Sequence, residues 1–304
     1  NSRSASYTGS GARHAMTAIT RQPIGRFAPS PTGPLHFGSL VTALASFLSI
    51  KARGGLWLVR MEDLDPPREL PGAQSEILTQ LAAHGLVSDR VVLKQSESIE
   101  RYEAALQRLI DQAQIYACDC PRKRFVSHYP GYCRDRGLAL ESVHQHALRF
   151  RIQAPKISLE DGHLGNHVWH PSENLGDFIV KRRDQLIAYQ LAVVVDDIYQ
   201  GVTEVVRGAD LLDSTPYQLA LYQALSEPPP QFWHFPVVLG SDGSKLSKQT
   251  GAPAVEGHQA IQNLNRALEF LGQTTLSSQD IPSLLERAIT AWDPRRVPRL
   301  LGRT

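Results

Sequence analysis

Residues 26–39 read Arg26-Phe27-Ala28-Pro29-Ser30-Pro31-Thr32-Gly33-Pro34-Leu35-His36-Phe37-Gly38-Ser39. This order predicts the end of a strand, a loop stiffened by three prolines, and the start of a helix. Gly33 and Gly38 allow a ligand to approach the backbone closely. A helix that starts here presents backbone amides that suit an anion such as phosphate, and His36 adds a further donor. We therefore interpret the string as a phosphate-binding turn rather than as an ordinary proline-rich turn before a helix.

Helix and strand patterns alternate on the C-terminal side of this turn. Residues 40–50 carry one apolar helical face, and residues 56–59 form a short apolar run typical of a buried strand. Two further helices are predicted over residues 77–82 and 99–110. Strands that alternate with helices indicate an α/β fold, a Rossmann-type parallel sheet with helices on its faces.

The alternation is interrupted near residue 115 and resumes near residue 186. The run 191–195 is strongly β-prone, although a neighbouring helix could also absorb it. Beyond it we predict a helix at 217–225, a strand at 236–239, and helices at 261–271 and 281–292. We expect five segments, namely a disordered tail (1–21), the first half of a nucleotide-binding domain (22–114), an inserted subdomain (115–185), the second half of the domain (186–252) and a helical C-terminal segment (253–304).

The composition of the 304 residues is that of a globular protein, with 42% apolar residues, 20% charged residues and a net charge of +2. These values exclude collagen, coiled coils and wholesale disorder. No run approaches the ~18 apolar residues that a membrane span needs. Because the chain has no large positive charge, a nucleic acid would have to be held by local patches. The basic triplets 122–124 and 181–183 are candidates, although such triplets are more often simply solvated.

Three cysteines lie close together in the predicted insertion, at Cys118, Cys120 and Cys133. An odd, clustered set argues against a disulfide scaffold and for a reducing compartment, the cytoplasm. Three thiolates leave tetrahedral zinc one ligand short. His128 is the orthodox candidate for the fourth ligand and Tyr132 is also near, while the structural alternative is three buried free cysteines.

A second string, Lys245-Leu246-Ser247-Lys248-Gln249, follows the first by about 210 residues. Together the two strings resemble the HIGH and KMSKS signatures of class I aminoacyl-tRNA synthetases in their glutamyl and glutaminyl form. Residues 60–68, 189–197 and 201–211 also resemble segments of glutamyl-tRNA synthetases. The chain departs from the two signatures at three positions. Ser39 stands where the first signature ends in His, and Leu246 and Gln249 replace the Met and the last Ser of the second.

The resemblance implies roles for individual residues and a class I synthetase fold with a zinc-bearing insertion and a short helical C-terminal part. The implied glutamate pocket consists of Arg26, Phe27, Ala28, Pro29, Ser30, Glu62, Tyr189 and Arg207. The implied ATP-binding residues are His36, Gly38, Ser39 and Lys248, and the implied catalytic residues are His36, Ser39, Lys245 and Lys248. The implied zinc ligands are Cys118, Cys120, Tyr129 and Cys133, with the Tyr129 oxygen as the fourth donor.

Several of these residues also have a plain structural interpretation. Arg60, Glu62 and Asp63 could form a surface cluster of ion pairs, and Tyr189 could be a core aromatic. The adjacent carboxylates Asp196 and Asp197 suggest a metal site. On a strand, however, they would point to opposite faces, so we interpret them as structural.

The resemblance is strongest to a truncated paralogue of the glutamyl-tRNA synthetases, and the 56 residues after Lys248 are too few for the anticodon-binding region of the full enzymes. It implies an ATP-dependent ligase that activates L-glutamate to glutamyl-adenylate without tRNA and transfers glutamate to queuosine in the anticodon of tRNA(Asp). It also implies one structural Zn²⁺ per chain, with Mg²⁺ accompanying ATP. We further expect a monomer and no membrane partner. The alternatives are a minimal glutamyl-tRNA synthetase charging a tRNA 3′ end, a small-molecule nucleotidyltransferase, and a catalytically inert RNA-binding paralogue.

Overall fold

The computed structural model describes residues 22–121, 128–140, 146–240, 243–246 and 252–303. Its strands are β1 (Ile24–Phe27), β2 (Leu56–Met61), β3 (Leu93–Lys94), β4 (Ile115–Cys118), β5 (Ala147–Phe150), β6 (Ile157–Asp161), β7 (Gly165–Trp169), β8 (Phe178–Lys181), β9 (Glu204–Gly208), β10 (Gln231–Phe235), β11 (Val237–Val238) and β12 (Gly302–Arg303). Its α-helices are α1 (Phe37–Lys51), α2 (Ala73–Ala83), α3 (Ile99–Asp111), α4 (Tyr189–Gln200), α5 (Thr215–Ala224), α6 (Ala260–Phe270) and α7 (Ile281–Ala291).

A five-stranded parallel sheet in the order β10-β9-β1-β2-β3 forms the centre of the molecule. The chain adds β2 and β3 on one side of β1, and later adds β9 and β10 on the other side. The strand order therefore reverses between β1 and β9. In open parallel sheets, ligands bind outside the carboxyl ends of the strands at this reversal point. The predicted α/β fold with a parallel sheet is confirmed.

Apolar side chains cover both faces of this sheet. In β2, Trp57 and Val59 point into the core formed with α1, α2, α6 and α7, whereas Leu58 points into the core formed with α3, α4 and α5. This alternation follows from the two-residue period of a strand. The predicted helix at 40–50 is present as α1, and its Leu40, Leu44 and Leu48 are fully buried. Each such leucine stabilises the fold by roughly 1.5–3 kcal/mol.

The valine-rich run 191–195 is helical, so its interpretation as a strand is wrong. It lies in α4, and all five side chains are buried. Because α4 packs against α3, α5 and β8, its apolar side chains are covered on several sides and burial overrides the local β propensity. Asp196 and Asp197 are therefore about 100° apart on a helix rather than on opposite faces of a strand, and both approach Arg60.

The strand predicted at 236–239 is only partly correct. The fifth strand of the parallel sheet is β10, which comes just before it and contains Phe232, His234 and Phe235 with little exposure. Val237 and Val238 form the short strand β11, which pairs with β12 outside the main sheet. The run Phe232-Trp233-His234-Phe235 lacks a regular alternation of apolar and polar residues, so the β10 pattern was not visible in the sequence.

The segment between β3 and α4 has a different architecture from the main sheet. Strands β4, β5 and β8 form one antiparallel sheet, and β6 and β7 form an antiparallel hairpin. The helices predicted at 261–271 and 281–292 are present as α6 and α7. Among the described residues, no helix is both long enough and apolar enough to cross a lipid bilayer.

Candidate active site

The turn between β1 and α1 is shaped around the imidazole of His36. His36 is the N-cap residue of α1, and its Nδ1 accepts a hydrogen bond from the Ser39 amide at 3.3 Å. A Cβ at Gly38 would lie only 3.1 Å from Cε1 of His36, so glycine leaves room for the ring. Gln80 also supports the turn, because its side-chain oxygen accepts a hydrogen bond from the Leu35 backbone amide at 2.7 Å. These contacts fix the position of the first turn of α1.

A cavity of about 430 Å³ lies at the carboxyl ends of β1 and β9, beside this turn. It is the position that the reversal of strand order favours for a ligand. The structure brings twelve of the predicted site residues to its walls. They are Arg26, Phe27, Ala28, Pro29, Ser30, His36, Gly38, Ser39, Glu62, Tyr189, Arg207 and Lys245.

The second signature string reaches the same cavity through its first two residues. The Leu246 amide bonds to the Val238 oxygen at 2.8 Å, which brings Lys245 and Leu246 to the cavity wall. Lys245 forms an ion pair with Asp210 at 2.5 Å. Sequence reasoning did not single out Asp210, although it ends the Arg-Gly-Ala-Asp segment. Lys248, with neighbouring Ser247 and Gln249, lies outside the described residues.

The two arginines predicted to bind a carboxylate have different partners. Arg26 is held by Asp197, whose two carboxylate oxygens lie 3.0 Å and 3.3 Å from the guanidinium nitrogens. Arg207 donates to uncharged groups only, among the described residues: the His234 imidazole, the side chains of Gln218 and Thr215, and the Leu211 backbone oxygen. Burial lowers the pKa of Arg207. The charge of Arg26 is therefore compensated within the fold, whereas Arg207 is the better receptor for an added anion.

Arg60 and Asp197 form a buried charge network beneath the cavity, which sequence reasoning missed. Arg60 is fully buried, so the alternative of a surface ion-pair cluster is wrong. Its guanidinium lies 2.7 Å from Asp197 and 3.4 Å from Glu62. Asp197 thus joins Arg26 to Arg60, with all three side chains at most 5% exposed. Nothing in the sequence indicated this link, because its members come from three separate elements.

Glu62 and Tyr189 also line the cavity. Burial raises the pKa of Glu62, and the positive charges of Arg60 and Arg26 offset this in part. Tyr189 stands at the start of α4 with 38% of its surface exposed, so it is not a core aromatic. The Glu62 carboxylate can receive an ammonium group, and the guanidiniums of the cavity can receive a carboxylate. The cavity therefore suits a ligand that carries both groups.

The three cysteines converge in a second, separate cluster. Their sulfur atoms all lie within 4.8 Å of one another, and the sulfurs of Cys120 and Cys133 are 3.4 Å apart. Zinc bonds to sulfur at about 2.3 Å, which places tetrahedral thiolates about 3.8 Å apart. The Tyr129 hydroxyl lies 3.5 Å from Cys118 and 3.9 Å from Cys120. The donor set therefore fits a tetrahedral metal ion.

Of the three candidates for the fourth ligand, Tyr129 has the best position. Neither ring nitrogen of His128 lies within 4.8 Å of all three sulfurs. Tyr132 is 51% exposed, and its ring lies against Arg136. Tyr129, in contrast, is buried, and the guanidinium of Arg149 stacks 3.7 Å from the centre of its ring. The positive charge of Arg149 would favour an anionic set of metal ligands.

Each residue of the basic triplet 181–183 has a partner within the fold. In 181–183, Lys181 pairs with Glu103, Arg182 pairs with Asp184, and Arg183 donates to the Cys120 backbone. The triplet 122–124 lies outside the described residues.

Comparison with known proteins defines the class of this fold and site. The family described as tRNA synthetases class I (E and Q), catalytic domain, matches residues 24–129 and 138–279. A glutamate tRNA ligase from Elizabethkingia meningosepticum, solved in complex with its amino acid, superposes with a TM-score of 0.77 at 24% identity. The superposition covers 92% of this chain and 66% of that ligase, and it shows the common fold. The chain is an aminoacyl-tRNA synthetase-type ligase.

Curated relatives narrow the class further. A glutamyl-Q tRNA(Asp) synthetase from Pseudomonas aeruginosa is 46% identical over 287 residues, which are 92% of this chain and 97% of the relative. The protein of that name from Ectopseudomonas mendocina is 48% identical over 282 residues, covering 91% and 95% of the two chains. The chain belongs to the glutamyl-Q tRNA(Asp) synthetase family within the class I synthetases, so the resemblance seen in the sequence is confirmed.

Proposed function

We propose that the chain activates L-glutamate with ATP, without tRNA, and then transfers glutamate to queuosine in the anticodon of tRNA(Asp). One observation carries the first part. One cavity is lined both by Arg26, Glu62 and Arg207, which we assign to the amino acid, and by His36 and Lys245, which we assign to the triphosphate. The second part is supported by the names of the relatives, which are glutamyl-Q tRNA(Asp) synthetases.

In the first step an oxygen of the α-carboxylate of glutamate attacks the α-phosphorus of ATP. The bond from this phosphorus to the bridging oxygen breaks, and pyrophosphate leaves. Arg207 receives the side-chain carboxylate, and Glu62 receives the ammonium group. The N-terminus of α1 and the ammonium groups of Lys245 and Lys248 stabilise the charge on the phosphates. No protein nucleophile is required, because the site acts by positioning and by charge stabilisation.

In the second step a hydroxyl of the acceptor attacks the carbonyl carbon of glutamyl-adenylate, and AMP leaves as the new ester forms. The acceptor hydroxyl belongs to the cyclopentenediol of queuosine. Mg²⁺ bound with ATP would neutralise part of the phosphate charge. In this proposal residues 22–114 and 186–252 form the nucleotide-binding domain, and residues 115–185 are an insertion into it.

The activation step is tested by glutamate-dependent exchange of pyrophosphate into ATP without tRNA. We expect exchange with L-glutamate, and little with L-glutamine or L-aspartate. Replacing His36 by Ala should slow the exchange strongly, while the amount of folded protein stays the same. No exchange with any amino acid would indicate an inert RNA-binding paralogue. A preference for glutamine or aspartate would refute the assignment of the pocket to glutamate.

The acceptor is tested with labelled glutamate and defined tRNAs. We expect label on tRNA(Asp) that contains queuosine, and none on tRNA(Asp) with guanosine at that position or on tRNA(Glu). Removing the 3′-terminal adenosine before the reaction separates the two possible esters. Transfer that survives the trimming supports the queuosine acceptor, whereas transfer lost on trimming shows charging of the 3′ end.

We also propose that Cys118, Cys120, Cys133 and the Tyr129 hydroxyl hold one structural Zn²⁺. The clustered sulfurs and the nearby hydroxyl support this assignment. The ion would join β4 to the loop that carries Tyr129 and Cys133. Four protein ligands leave no open position for substrate, so the role of this zinc is to stabilise the insertion.

Zinc content should follow the proposed ligand set. We expect about one zinc per purified chain, and a large loss of zinc with a lower unfolding temperature for Cys133→Ser. Tyr129→Phe should also lose zinc, while His128→Ala should retain it. The measurement is elemental analysis together with thermal unfolding in the presence of a chelator. Zinc retained by Tyr129→Phe and lost by His128→Ala would make His128 the fourth ligand instead.

Glutamate binding should weaken on mild acidification. The substrate ammonium requires ionised Glu62, and burial raises the pKa of this carboxyl above its usual range. The KM for glutamate should therefore rise as the pH falls through this raised pKa, at a higher pH than for an ordinary carboxylate. Glu62→Gln should have a higher KM that lacks this acid rise. The same acid rise in wild type and Glu62→Gln would assign it to another group.

A further inference from the structure

Arg207 ends a chain of buried hydrogen bonds that begins in the hairpin of β6 and β7. Asp161, the last residue of β6, lies 2.6 Å from Nδ1 of His234. On the other side of the imidazole, Nε2 of His234 lies 2.9 Å from Nε of Arg207. Asp161 and His234 are at most 3% exposed, and Arg207 is 4% exposed. None of the mechanism above uses Asp161 or His234.

The partners on both sides of His234 determine its tautomer. A carboxylate only accepts, so Nδ1 must carry a proton that it donates to Asp161. An arginine only donates, so Nε2 must be the unprotonated acceptor for Arg207. The imidazole is therefore neutral, in agreement with burial, which lowers the pKa of His234 although Asp161 opposes the shift. This series of hydrogen bonds places the carboxylate of Asp161 near Arg207, but the neutral imidazole of His234 separates the two charged groups.

The hairpin turn that supplies Asp161 is fixed in place by its own contacts. The second oxygen of Asp161 accepts from the amides of His163 and Leu164 at 2.9 Å and 2.8 Å. The turn packs so closely on β10 that a Cβ at Gly162 would lie 2.4 Å from the Trp233 ring. The carboxylate of Asp161 therefore has one position available, and it can orient the imidazole.

We infer that Asp161 and His234 are positioning residues, which hold the Arg207 guanidinium in the orientation that receives the side-chain carboxylate of the amino-acid substrate. The other bonds of Arg207, to Thr215, Gln218 and the Leu211 oxygen, complete this support. Because its hydrogen-bond partners among the described residues are all uncharged, these bonds orient Arg207 without pairing its positive charge with a carboxylate. This arrangement favours an anionic side chain over its neutral amide. The inference rests on the proposed role of Arg207 in binding glutamate.

The test is the variant Asp161→Asn, measured in glutamate-dependent pyrophosphate exchange. The Asn carbonyl is retained by the two turn amides, so its NH₂ group faces Nδ1 of His234. The proton then moves to Nε2, where it opposes the N–H of Arg207. We expect the KM for glutamate to rise roughly 10- to 100-fold, while the KM for ATP and the kcat change about twofold or less. The preference for glutamate over glutamine should fall.

Two controls separate positioning from simple structural support. His163→Phe keeps the ring packed on Phe235 but loses the bond to the Pro298 oxygen, so it should lower thermal stability without changing the KM for glutamate. If Asp161→Asn does not yield folded protein, His234→Phe takes its place, since it keeps the stacking on Phe232. In an Arg207→Lys background, Asp161→Asn should add little to the KM, because it acts through Arg207.

The inference is overturned if wild type shows glutamate-dependent exchange but Asp161→Asn, or His234→Phe where Asp161→Asn does not fold, has an unchanged KM for glutamate. It is also overturned if His163→Phe raises this KM equally, because the effect would then follow stability alone. A wild-type chain without glutamate-dependent exchange would instead refute the proposed function. The two failures are therefore distinguishable.

Discussion

Asp197→Asn is expected to lower the free energy of unfolding at pH 7 by about 3–5 kcal/mol. Asp197 contacts both Arg26 and Arg60, and none of the three side chains has more than 5% exposure. The substitution leaves Arg26 without its carboxylate partner and removes the nearest of the three carboxylates around Arg60, so the cost of burying the two guanidiniums is offset much less. The measurement is chemical denaturation of both proteins at one pH and one salt concentration.

The pKa of Asp197 gives the sign of this effect. Burial raises this pKa, but Arg26 and Arg60 lower it by more, so it lies below its usual range. The ionised carboxylate therefore stabilises the fold above the pKa of the unfolded chain, and this contribution disappears as the pH falls through the lower folded pKa. The difference in free energy of unfolding between wild type and Asp197→Asn should consequently be largest near pH 7 and decrease in acid.

Asp196→Asn is the matched control, because it makes the same change one position earlier on α4. Burial raises the pKa of Asp196 and Arg60 offsets this only in part, so the ionised form of Asp196 is disfavoured in the fold. The asparagine can still accept from Gln95 and Tyr102. We expect a much smaller loss of stability than for Asp197→Asn. Equal losses for the two variants would contradict the assignment of the charge network to Asp197.

Arg207→Gln is expected to reduce kcat/KM for glutamate roughly 30-fold to several thousand-fold. This corresponds to a loss of about 2–5 kcal/mol in transition-state binding. The guanidinium is buried, and its hydrogen-bond partners among the described residues include no carboxylate, so a bound substrate carboxylate would be its charged partner. Removing the charge leaves this carboxylate buried without compensation. The measurement is glutamate-dependent pyrophosphate exchange, with KM for ATP as the internal reference.

Arg207→Lys is the companion variant, since it keeps the charge but loses the planar set of donors. It should retain more discrimination against glutamine than Arg207→Gln does. Thermal unfolding of both variants shows whether the loss of the bonds to His234 and Gln218 destabilises the fold. If Arg207→Gln kept its kcat/KM for glutamate, Arg26 would be the receptor of the side-chain carboxylate.

The sequence predicted the parts of the fold that depend on local pattern. The strand end at Phe27, the proline-rich turn and the helix after His36 follow from residue types that permit few other conformations, and the structure has all three. The same string placed the candidate site, because ligands bind where such a turn meets the carboxyl end of a strand. The roles assigned to His36, Ser39, Lys245 and Lys248 remain predictions.

The sequence could not predict features that depend on distant elements meeting. Valines 193–195 have β propensity, and only the packing of α4 against its neighbours makes them helical. Asp197 meets Arg26 across 171 positions of the chain, and Asp161 meets His234 across 73. No local periodicity encodes such pairs, so they become visible only in three dimensions.

The close fit between Gly162 and Trp233 limits which segments of this enzyme can be exchanged with those of its relatives in chimeric proteins. The turn between β6 and β7 packs tightly against β10. The carboxylate of Asp161, which precedes this turn, begins the series of hydrogen bonds that ends on Arg207. A chimera that exchanges residues 115–185 alone would pair a foreign turn with a native strand. Functional exchange therefore requires that the turn and β10 come from the same parent.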